Sequence, residues 1–79
     1  MQISYYAGAA DAAGLETEQL DADQLTVTEL IGMLGTLHDG LAPVLTRCSL
    51  LVDGQRVDDP EELISAGSRI DVLPPFAGG

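Results

Sequence analysis

The residues best suited to carry chemistry lie at the end of the chain, in the run Leu73-Pro74-Pro75-Phe76-Ala77-Gly78-Gly79. Gly78 and Gly79 have no Cβ atom, so they can thread an extended chain through a narrow channel and present a carboxylate to a partner's active site. The paired prolines stiffen the approach to the glycines, and Phe76 supplies an apolar anchor. A chain would end in Gly-Gly by chance only about once in 200. This end is therefore predicted to be the functional part of the molecule.

Other groups that could do chemistry are His38, Cys48 and the acidic run over residues 58–62. His38 and Cys48 could act as base and nucleophile, but their spacing identifies no oxyanion-stabilising or orienting group, and both fall on apolar faces. We expect His38 to cap a helix end and to be solvated there. The acidic run could bind a hard metal ion, but acidic residues at the start of a helix more often interact with the helix dipole. The sequence thus predicts no catalytic pair and no metal site.

The chain is strongly acidic, with 13 Asp and Glu residues against three arginines, no lysine and a net charge of −10. Binding to nucleic acid requires clustered Lys and Arg, so nucleic acid is not expected as a partner. The same charge argues against anionic membranes and against this chain alone binding ATP. Two interpretations of the charge remain. It complements a basic partner surface, or it only keeps a small, apolar-rich domain soluble.

The length of 79 residues predicts one domain over residues 1–79, with a thin core and little room for an enclosed active site. Partner binding is therefore a better expectation than free-standing catalysis. Cys48 is the only cysteine, which excludes an intrachain disulfide and fits a reducing compartment. No leader is recognisable at the N-terminus, and no apolar run approaches the roughly 20 residues that cross a bilayer. We expect a soluble, unprocessed, cytoplasmic chain.

The elements that must position the tail are predicted from periodicity. Residues 1–7 alternate apolar and polar side chains, as a half-buried strand does. Residues 15–20 fit an edge strand with outward carboxylates. Between them, residues 8–14 are small and weakly patterned, and they are predicted to form a loop.

One main helix is predicted after Thr26. Thr26 and Glu29 have the spacing of a capping box, in which each side chain bonds to the other residue's backbone N–H. Apolar residues then recur at helical spacing over residues 27–38, and an Asp-Gly pair follows as a stop signal. Gly32 and Gly35 each weaken the helix by roughly 1 kcal/mol relative to alanine, so we expect it to depend on tertiary packing.

The remaining chain is predicted to form short elements. An Asp-Gly pair at residues 53–54 is a hairpin signal, and the Pro-Pro pair should end strand pairing and begin a flexible tail over residues 74–79. One main helix on one face of a mixed sheet is an α+β arrangement. The elements expected in order are a helical piece over 41–45 broken near Pro43, strands over 48–52 and 55–57, one helical turn over 58–64 and a last strand over 69–73.

On these residues the sequence resembles the small subunit of molybdopterin synthase, a ubiquitin-like family of sulfur carriers. Residues 3–7 are similar to the family's opening strand, residues 25–37 to its helix and residues 67–79 to its closing strand and tail. The end is the specific part, because the family's tail is a strand, two prolines, a hydrophobic residue, a small residue and Gly-Gly. The resemblance implies a β-grasp fold, with a mixed sheet, one main helix packed on one face and an extended C-terminal tail.

The resemblance also implies a role for each residue of the tail. A ubiquitin-activating-type enzyme would use ATP to adenylate the carboxylate of Gly79, and a sulfurtransferase would lead to a thiocarboxylate there. Gly78 and Ala77 would thread the tail into the large subunit of molybdopterin synthase, which converts the pterin precursor in molybdenum cofactor biosynthesis. The chain itself would bind no cofactor and no metal and would not be catalytic. The residues expected to bind the partner are Phe76, Pro75, Pro74 and Leu73.

Other functions stay open. Gly67-Ser68-Arg69 stands where the family commonly has an acidic pair after the glycine, and Val72-Leu73 replaces an often aromatic pair. A sulfur carrier for thiazole, for cysteine or for a sulfur-containing natural product is therefore an alternative, although the Pro-Pro pair favours the molybdopterin branch. A ubiquitin-like conjugating tag would form isopeptides with lysines of other proteins. A non-covalent interaction module would not depend on Gly79.

Overall fold

A computed structural model describes residues 1–75 of the chain, and Phe76, Ala77, Gly78 and Gly79 lie outside that description. Pro74 and Pro75 are therefore the part of the predicted tail whose position is known. Within residues 1–75 the elements are, in order, β1 (Gln2–Tyr5), α1 (Ala7–Ala13), β2 (Thr17–Gln19), β3 (Leu25–Thr26), α2 (Val27–Leu37), α3 (Leu41–Leu45), β4 (Ser49–Val52), β5 (Gln55–Val57), β6 (Leu63–Ile64) and β7 (Arg69–Leu73).

Five strands of the described range form one mixed sheet in the order β2-β1-β7-β4-β5. β1 runs parallel to β7, with Tyr5 level with Val72, and the other neighbours are antiparallel. β3 and β6 form a separate two-stranded ladder, in which Leu25 pairs with Ile64. The first and last strands of the sheet thus lie side by side and parallel near its centre, with the helical segments between them. This is the β-grasp arrangement, and it confirms the predicted α+β fold.

The core lies between one face of this sheet and the helices. Side chains alternate along a strand, so every second residue of β1 and β7 points toward α2 and the residues between point to the outer face. Apolar burial at these positions is the main stabilising contribution to the fold. The largest side chains that are fully buried in the described part of the chain are Ile3, Leu30, Leu34, Leu41, Ile64, Ile70 and Val72.

The main helix begins and ends where the sequence predicts. The backbone N–H of Glu29 donates to Thr26 Oγ1 at 3.1 Å, and the N–H of Thr26 donates to Glu29 Oε1 at 2.9 Å. The predicted capping box is therefore confirmed. α2 ends at Leu37, and the N–H of His38 still reaches the carbonyl of Leu34 at 3.2 Å.

The prediction of a loop over residues 8–14 is wrong, because α1 occupies most of that range. The helix starts without a side-chain cap, and its first residue, Ala7, has a φ of 48°, which is unusual for a residue other than glycine. Alanines of high helix propensity continue it, and Gly14, at φ 81°, ends it with an N–H bond to Ala10 O. Only Ala9 is buried, so the segment lacks the apolar periodicity from which a helix is recognised.

The predicted helical turn over residues 58–64 is also wrong. Residues 60–61 form a turn, and the segment then pairs as β6 with β3. The carbonyls of Pro60 and Glu62 accept the N–H groups of Thr28 and Val27, each at 3.0 Å. The first N–H groups of a helix have no partner within that helix, so the start of α2 holds this segment extended. Because the start of α2 lies more than 30 positions earlier in the chain, no pattern within residues 58–64 predicts this pairing.

The predicted break of the second helical piece near Pro43 does not occur. α3 continues from Leu41 to Leu45, with Gly40 as its N-cap. Pro43 lies in the first turn, where a backbone N–H has no partner within the helix in any case. Proline therefore removes nothing that α3 needs.

The two glycines of α2 provide a stability test with a built-in control. A Cβ atom added at Gly32 meets nothing within 4 Å, whereas one added at Gly35 lies 3.2 Å from Ala42 Cβ. Gly32→Ala should therefore raise the free energy of unfolding by about 0.5–1 kcal/mol. Gly35→Ala should gain less or lose stability, because the contact with α3 must shift. Urea denaturation of both variants checks this, and equal gains would show that α3 yields freely.

Candidate functional site

The predicted tail leaves from the central part of the sheet. β7 ends at Leu73, which pairs with Ser49 of β4 on one side, while β1 pairs with β7 on the other. Pro74 and Pro75 follow, and proline has no N–H with which to continue a ladder. Leu73 and Pro74 are half-buried and Pro75 is exposed. We call Leu73, Pro74 and Pro75 the tail base. Because β7 is held from both sides, the position from which the tail emerges is well determined.

Beside the tail base, the outer face of the sheet carries a mixed apolar and polar surface. Asp71 lies opposite Leu51 in the ladder between β7 and β4, and the N–H of Tyr6 donates to Val72 O at 3.3 Å. Tyr6 is 43% exposed, which is high for a large hydrophobic side chain. The surrounding residues of this face, Ser49, Leu51, Asp71 and Leu73, are half-buried. We define the outer sheet patch as Tyr6, Ser49, Leu51, Asp71 and Leu73.

A hydrogen bond fixes the most exposed member of this patch. The hydroxyl of Tyr6 donates to Asp71 Oδ1 at 3.0 Å. This bond, together with the charge of Asp71, raises the pKa of the Tyr6 phenol. The neighbouring Tyr5, in contrast, packs in the core and is only 3% exposed. Sequence reasoning missed Asp71, although alternation along β7 would have placed it outward, next to Leu73.

A groove borders the other side of the tail base. It has a volume of about 290 Å³ and lies between α3 and the two prolines. We call it the α3 groove. Its lining residues are Pro43, Val44, Arg47, Pro74 and Pro75.

His38 forms a structural cluster rather than a catalytic one. Its Nε2 lies 2.6 Å from Glu18 Oε2, and both side chains are largely buried. The hydroxyl of Tyr5 donates to the same carboxylate oxygen at 2.5 Å, and the rings of Tyr5 and His38 meet edge to face at 6.0 Å. Burial, followed by the bond to Glu18, raises the pKa of Tyr5 far above its usual value. His38 does cap α2, as expected, but its ring is paired with Glu18 and not simply solvated.

Cys48 is equally unsuited to act as a nucleophile. Its Sγ donates to the carbonyl of Val44 at 3.2 Å, and burial raises the pKa of the thiol. A reactive cysteine needs a lowered pKa, because the thiolate is the nucleophile. His38 bonds to Glu18, so the two residues do not form the pair that their chemistry would allow.

In the acidic run over residues 58–62, two carboxylates bind groups that lie close by in the sequence. Asp58 pairs with Arg56 at 3.0 Å, with both side chains exposed, and Asp59 Oδ1 accepts the N–H of Glu61 at 2.9 Å. No group of three or more His, Cys, Asp or Glu side chains within residues 1–75 is arranged to hold a metal ion. Over the same range, the helices are all too short or too polar to cross a bilayer.

A larger depression of about 600 Å³ lies along α2, where exposed Gly32 contributes no side chain. Its lining is mostly apolar. The carboxylate of Glu29 belongs to the capping box, and the hydroxyl of Thr36 donates to Gly32 O at 2.9 Å. A substrate site needs polar groups aimed at the ligand, and those in this depression serve the helix. The tail base therefore remains the better candidate site.

The fold and the tail base can be set beside known proteins. Residues 3–79 match the family described as the ThiS family, so the match includes the four C-terminal residues. A molybdopterin synthase sulfur carrier subunit of Aspergillus niger is 33% identical, over 99% of this chain and 92% of that protein. The subunit of the same name from Emericella nidulans is 31% identical, over 99% and 96%. In structure, the small archaeal modifier protein 1 of H. volcanii superposes with a TM-score of 0.82 at 25% identity, covering 96% of this chain and 97% of that one.

Proposed function

Because this chain belongs to the ThiS family, we propose that it is the sulfur carrier subunit of a molybdopterin synthase, with its sulfur on the C-terminal carbonyl of Gly79. One observation carries the proposal: two relatives above 30% identity, aligned over 99% of the chain, are molybdopterin synthase sulfur carrier subunits. The Pro-Pro-Phe-Ala-Gly-Gly end supplies the carboxylate that such a carrier needs. Nothing else in residues 1–75 offers a competing reactive group, since His38 and Cys48 have structural contacts.

The loading chemistry would proceed in successive steps. An adenylating enzyme of the ubiquitin-activating type brings ATP to the tail, and a carboxylate oxygen of Gly79 attacks the α-phosphorus, releasing pyrophosphate. The terminal sulfur of a persulfide on a sulfurtransferase then attacks the acyl carbon, and AMP leaves with the bridging oxygen. A second thiol cleaves the resulting acyl disulfide, which releases the thiocarboxylate and leaves the two thiol sulfurs joined as a disulfide. The product is a thiocarboxylate, which makes the chain a tethered group carrier. ATP is bound by the enzyme and not by this acidic chain.

In the transfer of sulfur from the thiocarboxylate to the pterin precursor, the catalytic groups belong to the large subunit. Gly78 and Ala77 pass through a narrow channel of that subunit, and the thiocarboxylate reaches the pterin precursor held there. Phe76 and the tail base bind at the channel entrance. The body over residues 1–73 then serves to hold the tail over residues 74–79 at a defined exit point, for which the paired position of β7 is well suited. A basic surface on the partner would complement the net charge of −10. The free thiol Cys48 fits a reducing, cytoplasmic setting.

The most direct test is the intact mass of the protein purified from its own host. A thiocarboxylate replaces one oxygen by sulfur, so a loaded fraction is heavier by the difference between the two atoms. Reaction with a thiocarboxylate-selective alkylating reagent should label that fraction only, and Gly79 should be the labelled residue. A population that carries only the free acid, under conditions in which the host makes molybdenum cofactor, would contradict the proposal.

The other sulfur pathways remain as alternatives within the same carrier class. A carrier for thiazole, cysteine or a sulfur-containing natural product would show the same mass shift. It would not restore molybdopterin formation when added with the purified large subunit and the pterin precursor. Such an assay therefore separates the pathways, and the names of the two relatives favour molybdopterin.

A second candidate function is supported by the structural similarity to a small archaeal modifier protein. A modifier would form isopeptide bonds between Gly79 and lysines of other proteins. This chain has no lysine, so it could not be extended through its own side chains. Adducts in host lysate that survive boiling and disappear when Gly78-Gly79 is deleted would support this function in place of, or beside, sulfur transfer.

Deletion of Gly78-Gly79 should separate folding from function. The buried core of the described range ends at Val72, and chain ends beyond a core usually contribute little to stability. We expect the shortened chain to melt within a few degrees of the parent while it loses all thiocarboxylate formation. Thermal unfolding followed by circular dichroism measures the first and mass spectrometry the second. A large drop in melting temperature would show that the tail is structural.

A further inference from the structure

We propose that the α3 groove is a second docking point for the large subunit, one that receives an apolar side chain and pairs Arg47 with a carboxylate beside it. This inference rests on the proposed function and extends the interaction surface from the tail base to α3. The groove includes Pro74 and Pro75 of the tail base, but its lining includes no residue of the outer sheet patch. Its experiment compares variants that all keep the tail.

The shape of the groove suits an apolar anchor. Its walls are two tail-base prolines on one side and Pro43 and Val44 on the other. α3 is fixed from below, because Leu41 and Leu45 are at most 4% exposed, and Thr46 Oγ1 donates to Pro43 O at 2.7 Å. Rigid walls lose little conformational entropy when a partner binds, so such a groove is preorganised. Its volume of about 290 Å³ exceeds that of one large side chain.

Arg47, at the edge of the groove, indicates which group of the partner lies beside the apolar anchor. Arg47 is exposed and forms no ion pair with any residue in the described range, whereas Arg56 pairs with Asp58. In the proposed complex, a basic partner surface would complement the acidic rest of this chain. At this one place, however, a cation lies on an apolar groove, and a guanidinium at an interface is best matched by a carboxylate. The partner surface is therefore expected to be basic as a whole and acidic opposite Arg47.

The reach of the tail brings a partner that binds Gly79 close to this groove. Four residues separate Pro75 from the end of the chain, and four extended residues span at most about 14 Å. A subunit that holds Gly79 in its active site must therefore lie close to the tail base. We assign the groove to the large subunit because the relatives are subunits of the synthase. A lasting complex needs apolar contacts beyond the tail.

The test is the affinity of the full chain for the purified large subunit, measured by titration calorimetry. Arg47→Glu should weaken binding by about 10-fold or more, and Val44→Thr, which exchanges a methyl for a hydroxyl of similar size, should weaken it several-fold. Arg56→Glu is the matched control, since it makes the same change in net charge at a residue already paired with Asp58. A basic partner should bind this control as well as or better than the parent. The same change in charge at Arg47 should lower the affinity only if a carboxylate of the partner lies opposite that residue.

Each outcome decides the inference. Unchanged affinity of either Arg47→Glu or Val44→Thr for the large subunit would overturn it, as would equal losses for the Arg47 and Arg56 variants. If Arg47→Glu binds the large subunit normally and instead slows pyrophosphate exchange by the adenylating enzyme, the groove belongs to that enzyme and the inference is also overturned. A parent chain that binds the large subunit and becomes thiocarboxylated upholds the proposed function in each of these cases. Melting temperatures of all variants confirm that the folds are intact.

Discussion

Replacing Gly79 with valine is expected to lower the rate of pyrophosphate exchange by the cognate adenylating enzyme by about 100-fold, because a misplacement of about 1 Å at a reacting centre has an effect of that size. A β-branched residue restricts φ and ψ and adds volume where the acyl carbon must lie in line with the α-phosphate of ATP. Docking, in contrast, depends on apolar area in the body of the protein. In this variant the rate of pyrophosphate exchange should therefore fall, while the affinity for the adenylating enzyme stays close to that of the parent.

The control for Gly79→Val is the same substitution at Gly67, in the turn before β7. Gly67 is exposed, and a Cβ added there meets nothing within 4 Å. Gly67→Val should therefore support exchange at close to the parent rate. Binding of both variants to the adenylating enzyme is titrated in parallel. If Gly79→Val also exchanges at the parent rate, the terminal carboxylate is not the reactive centre, and the carrier hypothesis fails with it.

Replacing Phe76 with alanine is expected to weaken binding to the large subunit by about 2 kcal/mol or more, which corresponds to roughly 30-fold in Kd. An aromatic side chain that fills a partner's pocket contributes to binding far above the average interface residue. The free protein should keep its melting temperature, because the buried core of the described range does not extend past Val72. Calorimetric titration against the large subunit gives the affinity.

Leu63→Ala is a suitable comparison for Phe76→Ala. Leu63 is 58% exposed, and it lies on β6, which belongs to the separate two-stranded ladder. Its truncation should leave the affinity nearly unchanged. Should Phe76→Ala also bind like the parent, the anchor lies elsewhere. Leu73 and its neighbour Tyr6 on the outer sheet patch would then be the first residues to truncate.

Much of the candidate site could be predicted because the signals are local. The Pro-Pro pair correctly marked the end of β7 at Leu73, while the roles of residues 76–79 stay a prediction from consecutive residues. The Asp-Gly pair marked the hairpin, where Asp53 and Gly54 have φ values of 50° and 84°. The neighbours of the tail base were harder, since the α3 groove joins residues about 30 positions apart. Packing alone determined that Arg47 would lie there.

The sequence by itself thus determined the features that depend on neighbouring residues: the capping box at Thr26 and Glu29, the hairpin turn and the end of β7 before the paired prolines. Tertiary structure decided the segments whose local preference is weak. Most of residues 8–14 became a helix whose first residue, Ala7, has a positive φ, and hydrogen bonds to the start of α2 hold the segment before β6 in a non-helical conformation. It also decided which tyrosine packs and that His38 pairs with Glu18. The physical reason is that a capping or turn signal is complete within a few residues, whereas burial and long-range hydrogen bonds depend on partners that only the folded chain brings together.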